Sequence, residues 1–336
     1  MHKGDKMLSV TENDLKVVDL YRDFLPEKVF DAHMHIYGEG TVPSLYSESS
    51  PIYYRPSVTI EDYFKDTEAF YPGVKQRRVN ALPMPDKQIS TDPERYKKMM
   101  NAHLEKCLKD DNSNVGGAFI LPTDDSDSIR KLTENEKIRS LKCYCYSVYK
   151  KDPDDTEIEE FLPESAFEVS SEKGIPIILH MMKKGSLSDE KNFSFITSVA
   201  KKYPRSKLVL AHCARSFAPH TVLKNISMLS EFDNIWFDTS AINEPVSIMS
   251  CVKFNKKRVL YGTDYPVAMY RGRAFSFGDS FLWLTGDLIP KGTPHSYILT
   301  EGLLALYESA LLLDLDQTDI EDIFYNNAAE LFLKRD

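Results

Sequence analysis

The chain has 336 residues, 42% of them hydrophobic, and a formal net charge of −9 from 42 lysines and arginines against 51 aspartates and glutamates. That length suits one large α/β barrel or two smaller domains, and the acidic balance argues against non-specific nucleic-acid binding, which depends on excess Lys and Arg. No run approaches the roughly 20 apolar residues of a membrane helix. The opening residues lack an apolar signal core, and five scattered cysteines form no disulfide framework, so a cytoplasmic location without membrane partners is expected.

Short apolar runs alternate with longer amphipathic ones, the pattern of a parallel sheet with crossover helices. A first helix is predicted over Asp14–Phe24, stopped near Pro26, and a first strand over Val29–Ile36. From Gly38 to Arg78 the chain is rich in Tyr, Pro and Ser, with one small helix over Ile60–Phe70. This stretch reads as a lid-like insertion at the catalytic end or as an ordinary surface excursion. Further strands are predicted at Val79–Met84, Val115–Leu121, Leu141–Tyr146, Pro176–His180, Lys207–His212, Ile235–Thr239 and Arg258–Asp264. Helices fit between them at Pro93–Leu108, Ser126–Asn135, Glu157–Lys173, Glu190–Lys202, Thr221–Phe232 and Val246–Phe254, and two more follow at Tyr297–Leu313 and Gln317–Leu333. The spacing of 32 residues from His180 to His212 is close to one βα unit. The expected fold is a distorted (β/α)8 barrel formed by residues 1–336 as one domain, with 38–78 inserted after strand one and extra C-terminal helices.

The chemistry concentrates at strand ends. His33-Met34-His35 closes the first strand, where residues two apart share a face, so both imidazoles can grip one ion. Three later strand-like runs end in His180, His212 and Asp264, all at the carboxyl end, where barrel enzymes carry their sites. Alternation groups Asp31 with His33 and His35, and Gly262 with Asp264, leaving space beneath that carboxylate. Imidazole and carboxylate suit one Zn²⁺ first, with Mn²⁺, Fe²⁺, Co²⁺ or Ni²⁺ also compatible. Three nitrogens and one oxygen would leave an open position for water.

Asp31-Ala32-His33-Met34-His35, His180, Ala211-His212-Cys213, Tyr261-Gly262-Thr263-Asp264-Tyr265-Pro266 and Asn327-Ala328-Ala329-Glu330-Leu331-Phe332 span nearly the whole chain. In these pieces the chain resembles the amidohydrolase superfamily, and within it the amidohydrolase-2 family related to aminocarboxymuconate-semialdehyde decarboxylase. The resemblance implies a distorted (β/α)8 barrel, His33, His35, His180 and Asp264 as metal ligands, and His212 as a catalytic group. Binuclear members add a carboxylated lysine from strand four. Lys142 sits early in the predicted strand, deeper than a rim ligand should, which favours one metal and leaves Lys142 as a supporting group, a partner of an acidic substrate or a helix-facing residue.

Around the rim, Arg215, Arg271 and Arg273 are candidates to hold a substrate carboxylate, and Tyr144, Tyr146 and Lys142 to line the pocket. Asp31 is a candidate to fix imidazole tautomers, and Asp238 either orients His212 or faces solvent. The expected activity is metal-dependent hydrolysis of a small carboxylate-bearing lactone, amide or C–C bond through an activated water, with Asp264 and His212 moving protons. The alternative keeps the site and removes CO₂ from an unsaturated or aromatic acid. The aromatic stretch Phe275-Ser276-Phe277 with Phe281-Leu282-Trp283-Leu284 suits either a neighbouring subunit or the barrel's own flank. The family resemblance is compatible with a homodimer.

Overall fold

The computed structural model of the protein describes residues 9–43, 55–109, 113–148, 152 and 155–333. Eight parallel strands stand side by side in chain order: β1 (Lys28–Ile36), β2 (Gln76–Pro83), β3 (Val115–Phe119), β4 (Ile138–Lys142), β5 (Ile177–Leu179), β6 (Leu208–Leu210), β7 (Ile235–Asp238) and β8 (Val259–Leu260). Crossover helices between consecutive strands force this parallel order. The seam between first and last strands is joined by backbone hydrogen bonds from Ala32 N–H to the Tyr261 carbonyl (2.9 Å) and from Asp264 N–H to the His33 carbonyl (2.8 Å). The result is a (β/α)8 barrel.

Local chemistry sets the element ends. Pro93–Leu108 and Glu190–Lys202 form as single helices, each entered through an aspartate that accepts backbone N–H groups of the first turn, Asp92 and Asp189. The predicted Glu157–Lys173 helix breaks into Ile158–Phe161 and Glu164–Lys173. Pro163 forces the residue before it out of helical backbone, and Leu162 is extended. Leu331 and Phe332 of the last helix, Asn327–Leu333, pack on Phe30, Val115, Trp236 and Leu260.

Two differences from expectation bear on the site. β4 spans Ile138–Lys142 rather than Leu141–Tyr146. Its early residue Arg139 is buried with Nε donating to the Phe332 carbonyl, so a charge that looks like loop is held inside the barrel. Lys142 therefore ends its strand. Beyond β8, the aromatic stretch forms an antiparallel hairpin, β9 (Gly272–Phe277) and β10 (Ser280–Thr285), with Phe281 and Trp283 turned onto Phe217 of the same barrel. Phe275, Phe277 and Leu282 remain exposed. Within the insertion, the small helix forms at Ile60–Thr67; residues 44–54 lie outside the described ones. No described helix is long and apolar enough to cross a membrane.

Candidate metal centre

Three side chains from the two ends of the chain meet at the seam. His33 Nε2 and His35 Nε2 lie 3.2 Å apart, and Asp264 Oδ1 is 3.0 Å from the His35 nitrogen and 3.8 Å from that of His33. Ligands held at about 2.0–2.2 Å in a tetrahedron are roughly 3.3 Å apart from one another. The three atoms thus fit one small divalent cation without rearrangement.

The tautomers agree with that fit. Asp238 Oδ2 accepts from His33 Nδ1 at 2.9 Å, which leaves Nε2 as a bare lone pair aimed at His35. Burial, with Lys142 close by, pushes His33 down to about 3, and burial also lowers His35. Burial would raise Asp264, but His212, His35 and His33 overcome it and hold the carboxyl at about 2. Neutral imidazoles facing a carboxylate are the protonation states a cation requires.

His180 and His212 form a second pair in the same cavity, with His180 Nδ1 3.0 Å from His212 Nε2. His212 Nδ1 lies 2.9 Å from the Ser240 carbonyl and so carries the proton, leaving Nε2 as acceptor. Burial, with His212 and Arg215 nearby, lowers His180 well below the usual imidazole value. Among the described residues, the three-residue groups close enough for one ion are His33–His35–Asp264 and His33–His212–Asp238. The second group is already satisfied internally. Asp238 Oδ1 takes the N–H groups of His212 (2.9 Å) and Ser240 (3.1 Å) and the Ser240 hydroxyl. His180 joins neither group.

Lys142 reaches into the centre, with Nζ 3.4 Å from His33 Nε2. Burial drives its amine down to about 8, against the pull of Asp238 and Asp264. Its position at the end of β4 corrects the expectation that it lies too deep. The cavity above these groups measures about 180 Å³. It is lined by the polar His35, Lys142, His180, His212 and Asp264 and by Met84, Pro85, Tyr144, Cys145, Tyr146, Met182 and Val267. The Tyr144 hydroxyl donates to the Pro83 carbonyl and lies 3.5 Å from His35 Nδ1.

Other expected residues stand elsewhere. Asp31 fixes no imidazole. β1 loses register between Asp31 and Met34, which interrupts the alternation that would set Asp31 beside the histidines. Its carboxylate instead takes the backbone N–H groups of His33 and Thr263, each at 3.0 Å, and the Thr263 hydroxyl. Arg271 is not brought to the cavity: its two terminal nitrogens bind Asp14 at 2.9 and 2.7 Å, pinning the first helix. Arg273 donates to the Asn243 carbonyl. Arg215 lies over the Phe281 ring and donates to the Lys183 carbonyl, and is not among the lining residues.

Sequence reasoning missed Ser240 and left Asp238 undecided. The sole signal was a polar run, Asp238-Thr239-Ser240, closing an apolar strand. Gly262 makes room for His33 and Ser240 rather than beneath Asp264: a side-chain carbon there would sit 3.1 Å from His33 Cβ and 3.2 Å from Ser240 Cβ.

His212, Cys213, Ala214 and Arg215 all have left-handed backbone, with φ of 57°, 49°, 61° and 56°, and Asp264 has φ 65°. Such angles are strained for residues other than glycine and cluster at functional sites.

A family model described as Amidohydrolase matches residues 31–333. No curated protein sequence matches the chain. Solved structures of similar fold include 5-carboxyvanillate decarboxylase from Sphingomonas paucimobilis, with 12% identity and TM-score 0.57 over 92% of this chain and 99% of that one. Others are 4-oxalomesaconate hydratase from Rhodopseudomonas palustris (14%, TM-score 0.59, 91% and 95%) and an amidohydrolase from Burkholderia multivorans (10%, TM-score 0.58, 91% and 99%). At these identities the likeness is one of fold. The match over residues 31–333 identifies the family, and the chain belongs to the amidohydrolases.

Proposed function

We propose that the protein is a metal-dependent hydrolase of a small carboxylate-bearing molecule, a lactone, an amide or a C–C bond beside a carbonyl. The observation that carries this reading is the convergence of His33 Nε2, His35 Nε2 and Asp264 Oδ1 within 3.0–3.8 Å beside a cavity that His35 and Asp264 line. His33, His35 and Asp264 would hold a divalent cation, Zn²⁺ first, which would supply the Lewis acidity that makes water a nucleophile near neutral pH. Asp264, ionised at neutral pH, accepts the proton from water and returns it to the leaving group. His212 Nε2 accepts from His180 Nδ1 and serves as a second proton acceptor beside the substrate once that bond is exchanged. Tyr144 and the apolar walls exclude bulk water and orient a flat substrate.

The ligand set taken from the family resemblance also includes His180. Its Nδ1 donates to His212 Nε2, which leaves Nε2 as its one ligand atom, and that atom would have to move to share an ion with His33, His35 and Asp264. Arg215 remains a candidate substrate contact only if its bond to Lys183 is exchanged for one to the substrate.

A second reading is non-oxidative decarboxylation. Lys142 favours it as the one lysine or arginine among the lining residues. An amine at about 8 is largely protonated at neutral pH and can donate to the carbon that loses CO₂. The apolar walls disfavour a localised carboxylate relative to a spread charge.

Elemental analysis of the wild type and of His33→Ala tests the central claim. About one equivalent of metal in the wild type and a loss in the variant are expected; no metal in the wild type, even after reconstitution, overturns it. Parallel assays of acid release and CO₂ release across lactones, amides and unsaturated acids separate the two reactions.

A further inference from the structure

Asp264 holds a backbone conformation that L-residues avoid, φ 65°. Such a residue stays in place only when its surroundings over-determine it. Its own N–H is bound to the His33 carbonyl at 2.8 Å. The next residue, Tyr265, is locked at every polar atom. Its N–H donates to Thr263 Oγ1 at 3.0 Å, and its carbonyl accepts from His35 N–H. Its buried phenol donates to Asp66 Oδ2 at 2.8 Å, and Arg55 donates to the same hydroxyl at 3.2 Å. Arg55 and Asp66 are themselves paired through the two terminal guanidinium nitrogens, at 2.5 and 2.9 Å. The Tyr265 ring also meets Tyr63 edge-on, with centroids 5.3 Å apart.

Arg55, Tyr63 and Asp66 all belong to the insertion after β1, and no described residue of that insertion lines the cavity. We infer that the insertion acts as a buttress for the metal ligand Asp264: the Arg55–Asp66 pair grips the Tyr265 hydroxyl and keeps the strained residue before it aimed at His33 and His35. The inference rests on the metal-centre reading above. Tyr265, Asp66 and Arg55 are positioning residues. They touch neither substrate nor metal, and their effect passes through the backbone of the β8 loop. Without the anchored phenol, Asp264 can relax toward ordinary backbone angles and swing its carboxylate off the two imidazoles.

Tyr265→Phe removes one hydroxyl, keeps the ring against Tyr63 and leaves the Arg55–Asp66 pair intact. Tyr21→Phe is the control, since its buried hydroxyl donates to the Phe70 carbonyl at 3.2 Å, away from the ligands. Zn²⁺ affinity is measured by chelator competition on metal-free protein, together with the visible spectrum of the Co²⁺ form and the apo Tm. Groups that orient ligands typically change metal affinity 10- to 100-fold, so Tyr265→Phe is expected to weaken Zn²⁺ about tenfold and to alter the Co²⁺ bands. Tyr21→Phe is expected to lower the apo Tm while leaving both unchanged. Asp66→Asn, which removes the charge gripping Arg55, is expected to behave as Tyr265→Phe does. Unchanged affinity and spectrum in Tyr265→Phe and Asp66→Asn overturn the inference even if the apo Tm falls. A wild type that binds neither ion overturns the metal centre itself.

Discussion

The carboxylate of Asp238 joins a histidine of β1 to one just beyond β6: one oxygen lies 2.9 Å from His33 Nδ1 and the other 2.9 Å from the His212 backbone nitrogen. Burial opposes its ionisation, yet His33, His212 and Ser240 hold it well below the usual carboxylate range. An amide at this position keeps the shape but removes the charge that fixes the His33 proton on Nδ1. Asp238→Asn should therefore lower metal affinity about 10- to 100-fold while the far-UV circular dichroism spectrum stays that of the wild type. Chelator competition measures the first quantity, and wild-type affinity in the variant would refute the assignment.

Acid should destabilise the metal-free protein. His33 falls from 6.5 to about 3, with His35 and His180 lowered in the same direction. A base with depressed folded pKa gives stability that is full above 6.5 and is lost as pH falls toward the folded value. Asp264, lowered from 3.8 to about 2, adds a loss below pH 4. Asp31, raised by burial to about 6, acts the other way, since its contribution is present at low pH and lost as pH rises through 6. One carboxyl does not outweigh three histidines, so Tm should fall between pH 6.5 and 3. A Tm that rises over that range would contradict the burial assigned to the histidines.

Lys142 makes a separate prediction on the alkaline side. Its amine is at about 8 against 10.5 when exposed, so the folded state binds fewer protons than the unfolded one between those values. The lysine's own contribution to apo stability should rise with pH across that window, and its penalty below the window is on the order of 3 kcal/mol. It works against the opposite contribution of Cys107, Cys143 and Cys213, whose thiols burial pushes up. Lys142→Met should remove the lysine's part of the pH dependence, making stability fall more steeply from pH 8 to 10.5 than in the wild type, and increase the apo Tm at pH 7. The same variant reads metal content: a fall from two equivalents to one would reveal a carboxylated, bridging lysine, whereas an unchanged single equivalent fits a free amine.

Gly262→Ala should damage the centre without touching a ligand. Its methyl group would meet His33 Cβ at 3.1 Å and Ser240 Cβ at 3.2 Å, so His33 must give way. Overpacking of this kind costs about 1–3 kcal/mol. Denaturant unfolding of the apo protein should show that loss, and metal binding should weaken with it. A variant as stable as the wild type would mean that the β8 loop shifts instead.

The barrel and the convergence of His33, His35 and Asp264 were legible because both rest on periodic or local signals. His33 and His35 are two residues apart on one strand, and Asp264 closes an apolar run, so position and chemistry coincide. Lys142 was misplaced because Arg139 and Ser140 break the apolar pattern of β4, and the bonds that permit their burial come from the distant Phe332 carbonyl and from Asn80. Asp238 and Ser240 were obscure because a buried polar residue declares its role only through its partners. Arg271 looked like a rim cation because its true partner, Asp14, lies at the other end of the chain. The hairpin was read as an aromatic patch because its inner face packs on Phe217, a contact no local pattern announces.

The seam of the barrel has a consequence for how the chain folds. The cluster at the seam takes His33 and His35 from one end of the sequence and Asp264 from the other, more than 200 residues apart. Bringing such distant points together costs on the order of 5 kcal/mol of loop-closure entropy in an unstructured chain. An ion shared by these three side chains would be a clasp as well as a reagent: it would fasten the loop after the last strand to the first strand, across a joint that forms only after every intervening βα unit is in place. Chelation should loosen that joint first, and hydrogen exchange in β1 and β8 should quicken before exchange in β5 and β6, which lie across the ring.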